Sequence, residues 1–363
     1  MPQPKLSQSQ LNQVVVGASL GDAVTDHALV IRDWLRGWGF QSQLYALHIH
    51  PALASEVKPL SAYHPGRGER HLIFHHSIGS ETVDVLTNLP VELILIYHNI
   101  TPAGFFTYAD PMWTRLLTQG RQQLHQLRPH TRLGLAVSEF NAAELRDAGY
   151  QPTGVLPIML DESRYTIPLN DNLAASLRAQ GPLLLFVGKF APHKKQEDLV
   201  KLLFHYRQLA PHARLALVGD PWLPDYTAWL NDMIRRLGLT EAVLLPGRVN
   251  QQDMVTYYRC ADLFVSMSEH EGFCKPLIES MYLALPILAY ASTAVPGTLG
   301  QTGILFHDKD YEALAELVDI LQHDHALRQR LIQRQQAHVQ QFLAPAIRAT
   351  LQQHLQTLGV LAP

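Results

Sequence analysis

The feature that most constrains this chain is an alternation, repeated in two series, of short apolar runs with stretches whose apolar residues recur at helical spacing. The first series contains residues 14–16, 44–47, 72–74, 93–97, 133–137 and 154–156. After its first run, Ala28, Ile31, Leu35 and Trp38 fall on one helical stripe, and Gly39 ends it. Strands alternating with helices predict a parallel sheet covered on both faces. Residues 161–180 lose strand character and carry Pro168, Asn170 and Asp171 ahead of Gly181 and Pro182, so the interdomain linker is expected there. A second series follows at residues 183–187, 215–218 and 243–245, at the strand opening on Phe264, and at 286–290 and 303–306. A chain of 363 residues is long for one domain, since roughly 150 residues per domain is usual. The predicted class is α/β, with two doubly wound, Rossmann-like domains over residues 1–165 and 166–340.

With 47% hydrophobic residues such a chain can bury two large cores, which excludes a disordered protein. A formal net charge of -3 and a pI near 6.7 argue against general nucleic-acid binding, which calls for a basic face. The two cysteines, Cys260 and Cys274, define no disulfide framework and have no metal-type spacing, as expected in a reducing cytosol. Residues 1–12 are polar and lack the apolar core of a signal peptide, and no run of about 18 apolar residues occurs. The expected location is cytoplasmic, with peripheral contact at the inner face of a membrane left open.

The densest chemistry lies in residues 264–281, which read as a strand, a loop at Glu269-His270-Glu271-Gly272, and a helix starting at Pro276. A helix start offers N–H groups without intrahelical partners and the positive end of the dipole, so it attracts anions. Glu271 lies just before that start beside a glycine, where the backbone can approach a ligand and the carboxylate can accept from paired hydroxyls. Glu279 falls in the first turn, a placement that the dipole also favours without any ligand.

The string Glu271, Gly272, Phe273, Cys274, Lys275, Pro276, Leu277, Ile278, Glu279 resembles the Glu-(seven residues)-Glu motif of family 4 retaining glycosyltransferases, which have the GT-B fold. The resemblance implies that the two domains face each other across a cleft and that residues 341–363 form a terminal helix returning to the N-terminal domain. It implies that Glu271 and the loop that follows it, residues 272–277, hold the transferred sugar and that Glu279 binds the nucleotide ribose.

Other positions agree. The strand at 183–187 ends in Gly188-Lys189, with Lys194 before a helix, and lysines in such a loop are well placed for phosphate. The family has Gly-Arg here and a lysine five residues on, both on the donor diphosphate. Lys189 takes the arginine's place, an ammonium for a bidentate guanidinium, and Lys194 matches the lysine. Gly219, Arg248 and Val249 follow strands whose loops border the nucleotide base in the family. Gly21 and Asp22 lie in the first loop, which borders the cleft. His98 follows the strand at 93–97, where many family members have a histidine near donor sugar and acceptor. His75 and His76 follow another strand, and with 19 histidines in the chain each of the three also reads as a structural hydrogen-bonder. Ser138 reads first as a helix N-cap, and so does Asp310 of the Asp-x-Asp at 308–310, so no metal is expected. The aromatics and arginines of residues 105–132 read as an amphipathic helix on the sheet, with a membrane surface or lipid-linked acceptor as the alternative.

The resemblance implies a retaining hexosyltransferase without cofactor or metal, taking GDP-mannose or a UDP-hexose and a glycan or lipid-linked hydroxyl acceptor of cell-surface polysaccharide synthesis. Glu271, His98, Lys194 and Lys189 are its expected catalytic residues. The sequence offers no clear candidate for a carboxylate nucleophile behind the anomeric carbon, so front-face departure is preferred to double displacement. The alternatives are a GT-B nucleotide-sugar 2-epimerase and a catalytically silent nucleotide-sugar-binding scaffold.

Overall fold

The computed structural model describes residues 9–66 and 68–362. It divides into two compact units: Met1–Gly104 with Asp110–Met159 and Ile347–Pro363, and Phe105–Ala109 with Leu160–Ala346.

The first unit holds β1 (Asn12–Ala18), α1 (Ala23–Gly37), β2 (Leu44–Ile49), β3 (Val57–Pro59), β4 (His71–His76), α2 (Thr82–Thr87), β5 (Glu92–Tyr97), α3 (Pro111–Leu127), β6 (Thr131–Ala136), α4 (Glu139–Asp147) and β7 (Thr153–Val155). Its seven strands are parallel in the order β3-β2-β1-β4-β5-β6-β7. Val14 sits opposite Tyr45 on one side and Phe74 on the other, and is fully buried. Such two-sided burial is why these strands are near-continuous apolar runs. Asp22, Asp110 and Ser138 cap α1, α3 and α4 by accepting from Thr25, Trp113 and Asn141 N–H groups.

The second unit holds α5 (Asp171–Arg178), β8 (Leu183–Val187), α6 (Gln196–Leu209), β9 (Arg214–Val218), α7 (Pro224–Arg236), β10 (Val243–Gly247), α8 (Gln251–Cys260), β11 (Leu263–Ser266), α9 (Lys275–Tyr282), β12 (Ile287–Tyr290), α10 (Val295–Leu299), β13 (Ile304–Phe306), α11 (Tyr311–His323) and α12 (His325–His338). Its six parallel strands run β10-β9-β8-β11-β12-β13. Leu184, Phe186, Leu217, Val265 and Leu288 form the core with Leu203 and Tyr206 of α6. The last helix, α13 (Ala344–Thr357), carries residues of both units. In the first, His354 Nε2 lies 3.1 Å from the Val155 carbonyl and Arg348 lies over the Trp38 ring.

Each unit is doubly wound, with the strand order reversing between β1 and β4 in the first and between β8 and β11 in the second. Sheets of this kind bind ligands beyond the carboxyl ends of the two strands that flank the reversal. Among the described residues no helix is long and apolar enough to cross a membrane.

Several expectations need correction. The predicted linker at 161–180 contains α5, which belongs to the second unit and is fastened to α8 by Asn170 Nδ2 donating to Asp253 Oδ1 at 2.8 Å and Asn170 N donating to Thr256 Oγ1 at 2.9 Å. Polar, proline-containing sequence here signals a capped helix rather than a tether. His75 and His76 lie inside β4, not beyond it. The sequence pattern does not reveal α7 and α12, because each buries only two side chains: Leu230 and Ile234, and Leu331 and Gln335. The helix after the Glu271 loop starts at Lys275, one residue before Pro276.

His76 is a core residue: fully buried, with Nε2 donating to the Gly120 carbonyl of α3 at 2.9 Å. Burial pulls its pKa down to about 4 from an ordinary 6.5. The unfolded chain therefore binds a proton that the folded one refuses between those values, and stability is lost as pH falls through that window. The expected contribution is roughly 3 kcal/mol. Urea unfolding of the wild type and of His76→Gln at pH 7 and pH 4.5 measures it, and an equal pH dependence in both would rule it out.

Candidate active site

Two loops meet at the strand-order reversal of the second unit. The first, after β8, runs through a short 3-10 turn at Pro192–Lys194 to Lys195, whose backbone is left-handed (φ 55°) where α6 begins. The second, after β11, ends at Cys274, also left-handed (φ 67°), where α9 begins. Side-chain caps close the starts of α5, α8, α11 and α12, supplied by Asn170, Asn250, Asp310 and Asp324. The starts of α6 and α9, like those of α7 and α10, have no side-chain cap. Their N-terminal amides thus keep the capacity to face an anion.

Lys194 and Glu271 join the loops. Lys194 Nζ lies 2.7 Å from both Glu271 oxygens, and the Glu271 side chain is only 7% exposed. Glu269 N–H donates to the His193 carbonyl at 2.8 Å, and Glu269 accepts from Lys309 at 2.9 Å. The backbone of Glu271 is held by Thr293, whose hydroxyl accepts from Glu271 N–H at 2.8 Å and donates to Glu271 O at 2.9 Å. Glu271 is thereby fixed at its backbone and at its carboxylate.

Glu279, on α9, is buried with both oxygens engaged: Tyr165 OH donates to one at 2.5 Å and Tyr258 OH to the other at 2.6 Å. Each carboxylate oxygen retains a second lone pair for a further donor. Burial, reinforced by the Glu279 charge, pushes the Tyr258 phenol well above its ordinary range, so it stays a donor. Lys275 Nζ approaches Glu279 at 3.9 Å. Cys274 is buried, and burial with the Glu271 charge drives its thiol pKa upward, leaving an inert thiol. Phe273 packs edge-on against Phe342, and Leu277 points into the core. Gly272 and Pro276 are half-buried, and the Pro276 carbonyl accepts from Ser280.

Gly219 is required by close packing. A Cβ on Gly219 would stand 1.9 Å from the Gly188 carbonyl oxygen, so no side chain fits between these loops. Lys189 is exposed, and its carbonyl accepts from Gln196. Arg248 is exposed and Val249 half-buried after β10. Asp310 caps α11 through the Glu312 and Ala313 N–H groups, and Asp308 is exposed.

In the first unit, Gly21 (φ 70°) makes the turn into α1 and Asp22 accepts from both Thr25 N and Thr25 Oγ1 at 2.9 Å. His98 follows β5 and bonds His75 at 2.9 Å. Burial, then the neighbouring imidazoles, lowers the pKa of His98 well below 6.5, and His75 behaves alike. His27, His75 and His98 are, among the described residues, the one group of three potential metal ligands close enough to share an ion.

Sequence reasoning missed an aromatic cluster around the loops of the second unit. Phe105 and Phe106, read as part of a helix, instead stack on His193, and Phe105 also meets His270 and Phe106 meets Trp222. His193 and His270 immediately precede Lys194 and Glu271. Burial holds His193 neutral, with its pKa well below 6.5. The Phe-Phe pair ahead of Pro111 was a signal for a short docked segment.

The fold is GT-B: Anabaena HepE, solved in complex with UDP and glucose, superposes with a TM-score of 0.75 over 96% of this chain and 100% of that one, at 18% identity. Residues 172–338 match the family model described as glycosyl transferases group 1. O-antigen chain mannosyltransferase B of Escherichia coli is 25% identical over 214 residues, which is 56% of this chain and 55% of the relative. A GDP-mannose-dependent alpha-mannosyltransferase of Mycobacterium tuberculosis is 25% identical over 221 residues, 60% of this chain and 54% of the relative. The chain thus spans about half the length of the curated relatives it matches.

Removing Lys194 would leave a buried carboxylate without its counter-charge, whereas removing the Glu271 charge leaves an ammonium whose side chain is 20% exposed. Lys194→Ala is therefore expected to cost ~2–4 kcal/mol, and adding Glu271→Gln to recover most of it. Urea unfolding of the single and double variants tests this; additive losses would mean the pair does not form in solution.

Proposed function

We propose that the protein is a retaining, metal-independent hexosyltransferase that moves a sugar from GDP-mannose or a UDP-hexose to a hydroxyl acceptor in cell-surface polysaccharide or lipid-linked glycan synthesis. The observation that carries this reading is the Lys194–Glu271 pair, set at the strand-order reversal of a unit that bears the group 1 glycosyl transferase pattern. The mannosyltransferase relatives support the mannose donor, and the UDP-bound neighbour of the same fold keeps a UDP-hexose in view.

In this reading the donor exchanges one ion pair for two sets of contacts. The diphosphate draws Lys194 away from Glu271, with Lys189 and the uncapped starts of α6 and α9 adding positive potential. Glu271, released from its ammonium but still held by Thr293, accepts hydroxyls of the sugar. Glu279, oriented by Tyr165 and Tyr258, uses its remaining lone pairs for the ribose. As the glycosidic bond breaks, negative charge grows on the departing diphosphate, where Lys189 and Lys194 stabilise it, and a diphosphate oxygen takes the acceptor proton on the same face. His98 positions a substrate hydroxyl, and the loops at Gly219 and at Arg248 and Val249 border the base.

Calorimetric binding of GDP, UDP, dTDP and ADP, followed by a transfer assay with the matching nucleotide sugar, tests the proposal. One nucleotide is expected to bind preferentially, to lose affinity in Lys194→Ala, and to keep it in Glu271→Ala while transfer falls by at least about 100-fold. Binding without turnover of any kind would favour a silent scaffold, sugar-nucleotide isomers formed without acceptor would favour an epimerase, and no binding would remove the donor site.

A further inference from the structure

The first unit buries a chain of three side chains whose proton positions can be read from their partners. Gln13, fully buried on β1, turns its Nε2 to donate to the Ala28 carbonyl at 3.0 Å, so its Oε1 faces His75. His75 Nε2 lies 2.9 Å from that oxygen and must carry a proton, since an amide oxygen only accepts. Burial keeps His75 neutral, so its Nδ1 is a bare lone pair. That lone pair lies 2.9 Å from His98 Nε2, which must then be the N–H donor. His98 is neutral as well, which leaves its Nδ1 unprotonated. Nδ1 is shielded from water and has no partner among the described residues, although part of the residue is exposed.

The backbone around His98 is fixed with equal care. His98 N–H donates to the His76 carbonyl at 2.9 Å. Asn99, left-handed at φ 74°, donates through Nδ2 to Asn141 and Glu144 at 2.9 Å, and Arg121 holds the Ile100 carbonyl at 2.6 Å. A left-handed asparagine kept in place by three side chains is a local strain that the surroundings over-determine.

We propose that Gln13 and His75 are positioning residues that hold His98 in its Nε2–H tautomer, making Nδ1 a fixed hydrogen-bond acceptor for a hydroxyl group of the substrate. The proposal deepens the role given to His98 above and rests on it for the identity of the donor hydroxyl. An acceptor closed to bulk water and unpaired within the protein gains its partner when a substrate supplies one. His75 and His98, with His27, also lie close enough to share a metal ion, and a metal there would compete for the same ring nitrogens.

Long-range proton–nitrogen NMR of the full chain labelled with nitrogen-15, at pH 7 and without nucleotide, tests this directly. Assignment uses His75→Gln and His98→Gln. The wild type is expected to show His75 and His98 as neutral Nε2–H tautomers, and His75→Phe, which removes the acceptor, to shift the His98 ring resonances towards a mixture of tautomers. A proton on His98 Nδ1, an imidazolium at that pH, or a joint shift of His27, His75 and His98 with one equivalent of zinc would overturn it. The wild-type spectrum decides even where the variant does not fold. Because no sugar is present, a failure here is distinct from a failure of glycosyl transfer: the expected tautomer combined with unaltered turnover in His98→Ala would remove the substrate role and leave the tautomer relay standing.

Discussion

The second unit depends on one buried ion pair. Taking a carboxylate and an ammonium out of water costs several kcal/mol per ion unless geometry and further hydrogen bonds offset it. Lys194 offsets it by reaching both Glu271 oxygens at 2.7 Å, and Thr293 fixes the backbone beneath the carboxylate. A pair of this kind is a modest source of stability but a strong source of order. It ties the loop after β8 to the loop after β11, and with it the starts of α6 and α9. The loops carry further links of the same sort: Lys309 joins Asp198 at 2.8 Å to Glu269 at 2.9 Å, and Lys195 lies 3.5 Å from Glu269. Asp198, Glu269 and Glu271 thus each have an ammonium at hydrogen-bond distance.

The first unit solves the same problem without charge. At its own strand-order reversal it places neutral rings, and burial keeps His75 and His98 unprotonated. Direction comes from a one-way string of hydrogen bonds that begins at the Ala28 carbonyl and ends at His98. A neutral acceptor discriminates by geometry, whereas an ammonium attracts any nearby anion. The two units thus differ in kind at their strand-order reversals: ion pairs in the second and neutral rings in the first.

How much of this was legible depended on the range of the interaction. The strands of both sheets are buried on both faces, so their positions appear as continuous apolar runs, as at Leu93–Tyr97 within β5. Asp310 and Ser138 read correctly as caps because a cap acts within three residues. Glu271, Glu279 and Lys194 were visible because they follow strand ends at fixed spacing. Their partners were not: Tyr165 reaches Glu279 across 114 positions and Lys194 reaches Glu271 across 77, and no local pattern records such pairs. α12 escaped notice for a different reason. Its polar surface leaves only Leu331 and Gln335 buried, so periodicity had nothing to report. The Phe105 and Phe106 side chains misled because aromatics before a helix look like part of its stripe, whereas these two rings dock on His193 instead.

Backbone conformation completes the picture at the two helix starts. Lys195 and Cys274 adopt left-handed angles that a glycine would take with less strain, and neither is glycine. For Lys195 the side chain has a use, since its ammonium lies 3.5 Å from both Glu197 and Glu269. For Cys274 the side chain is buried. Each left-handed residue stands at the end of its loop, directly before the first residue of α6 or α9. At Gly219 the neighbouring carbonyl of Gly188 leaves no room for a carbon atom at all. Sterics thus forbid any side chain there, whereas Lys195 pairs its ammonium with two carboxylates and Cys274 buries its thiol.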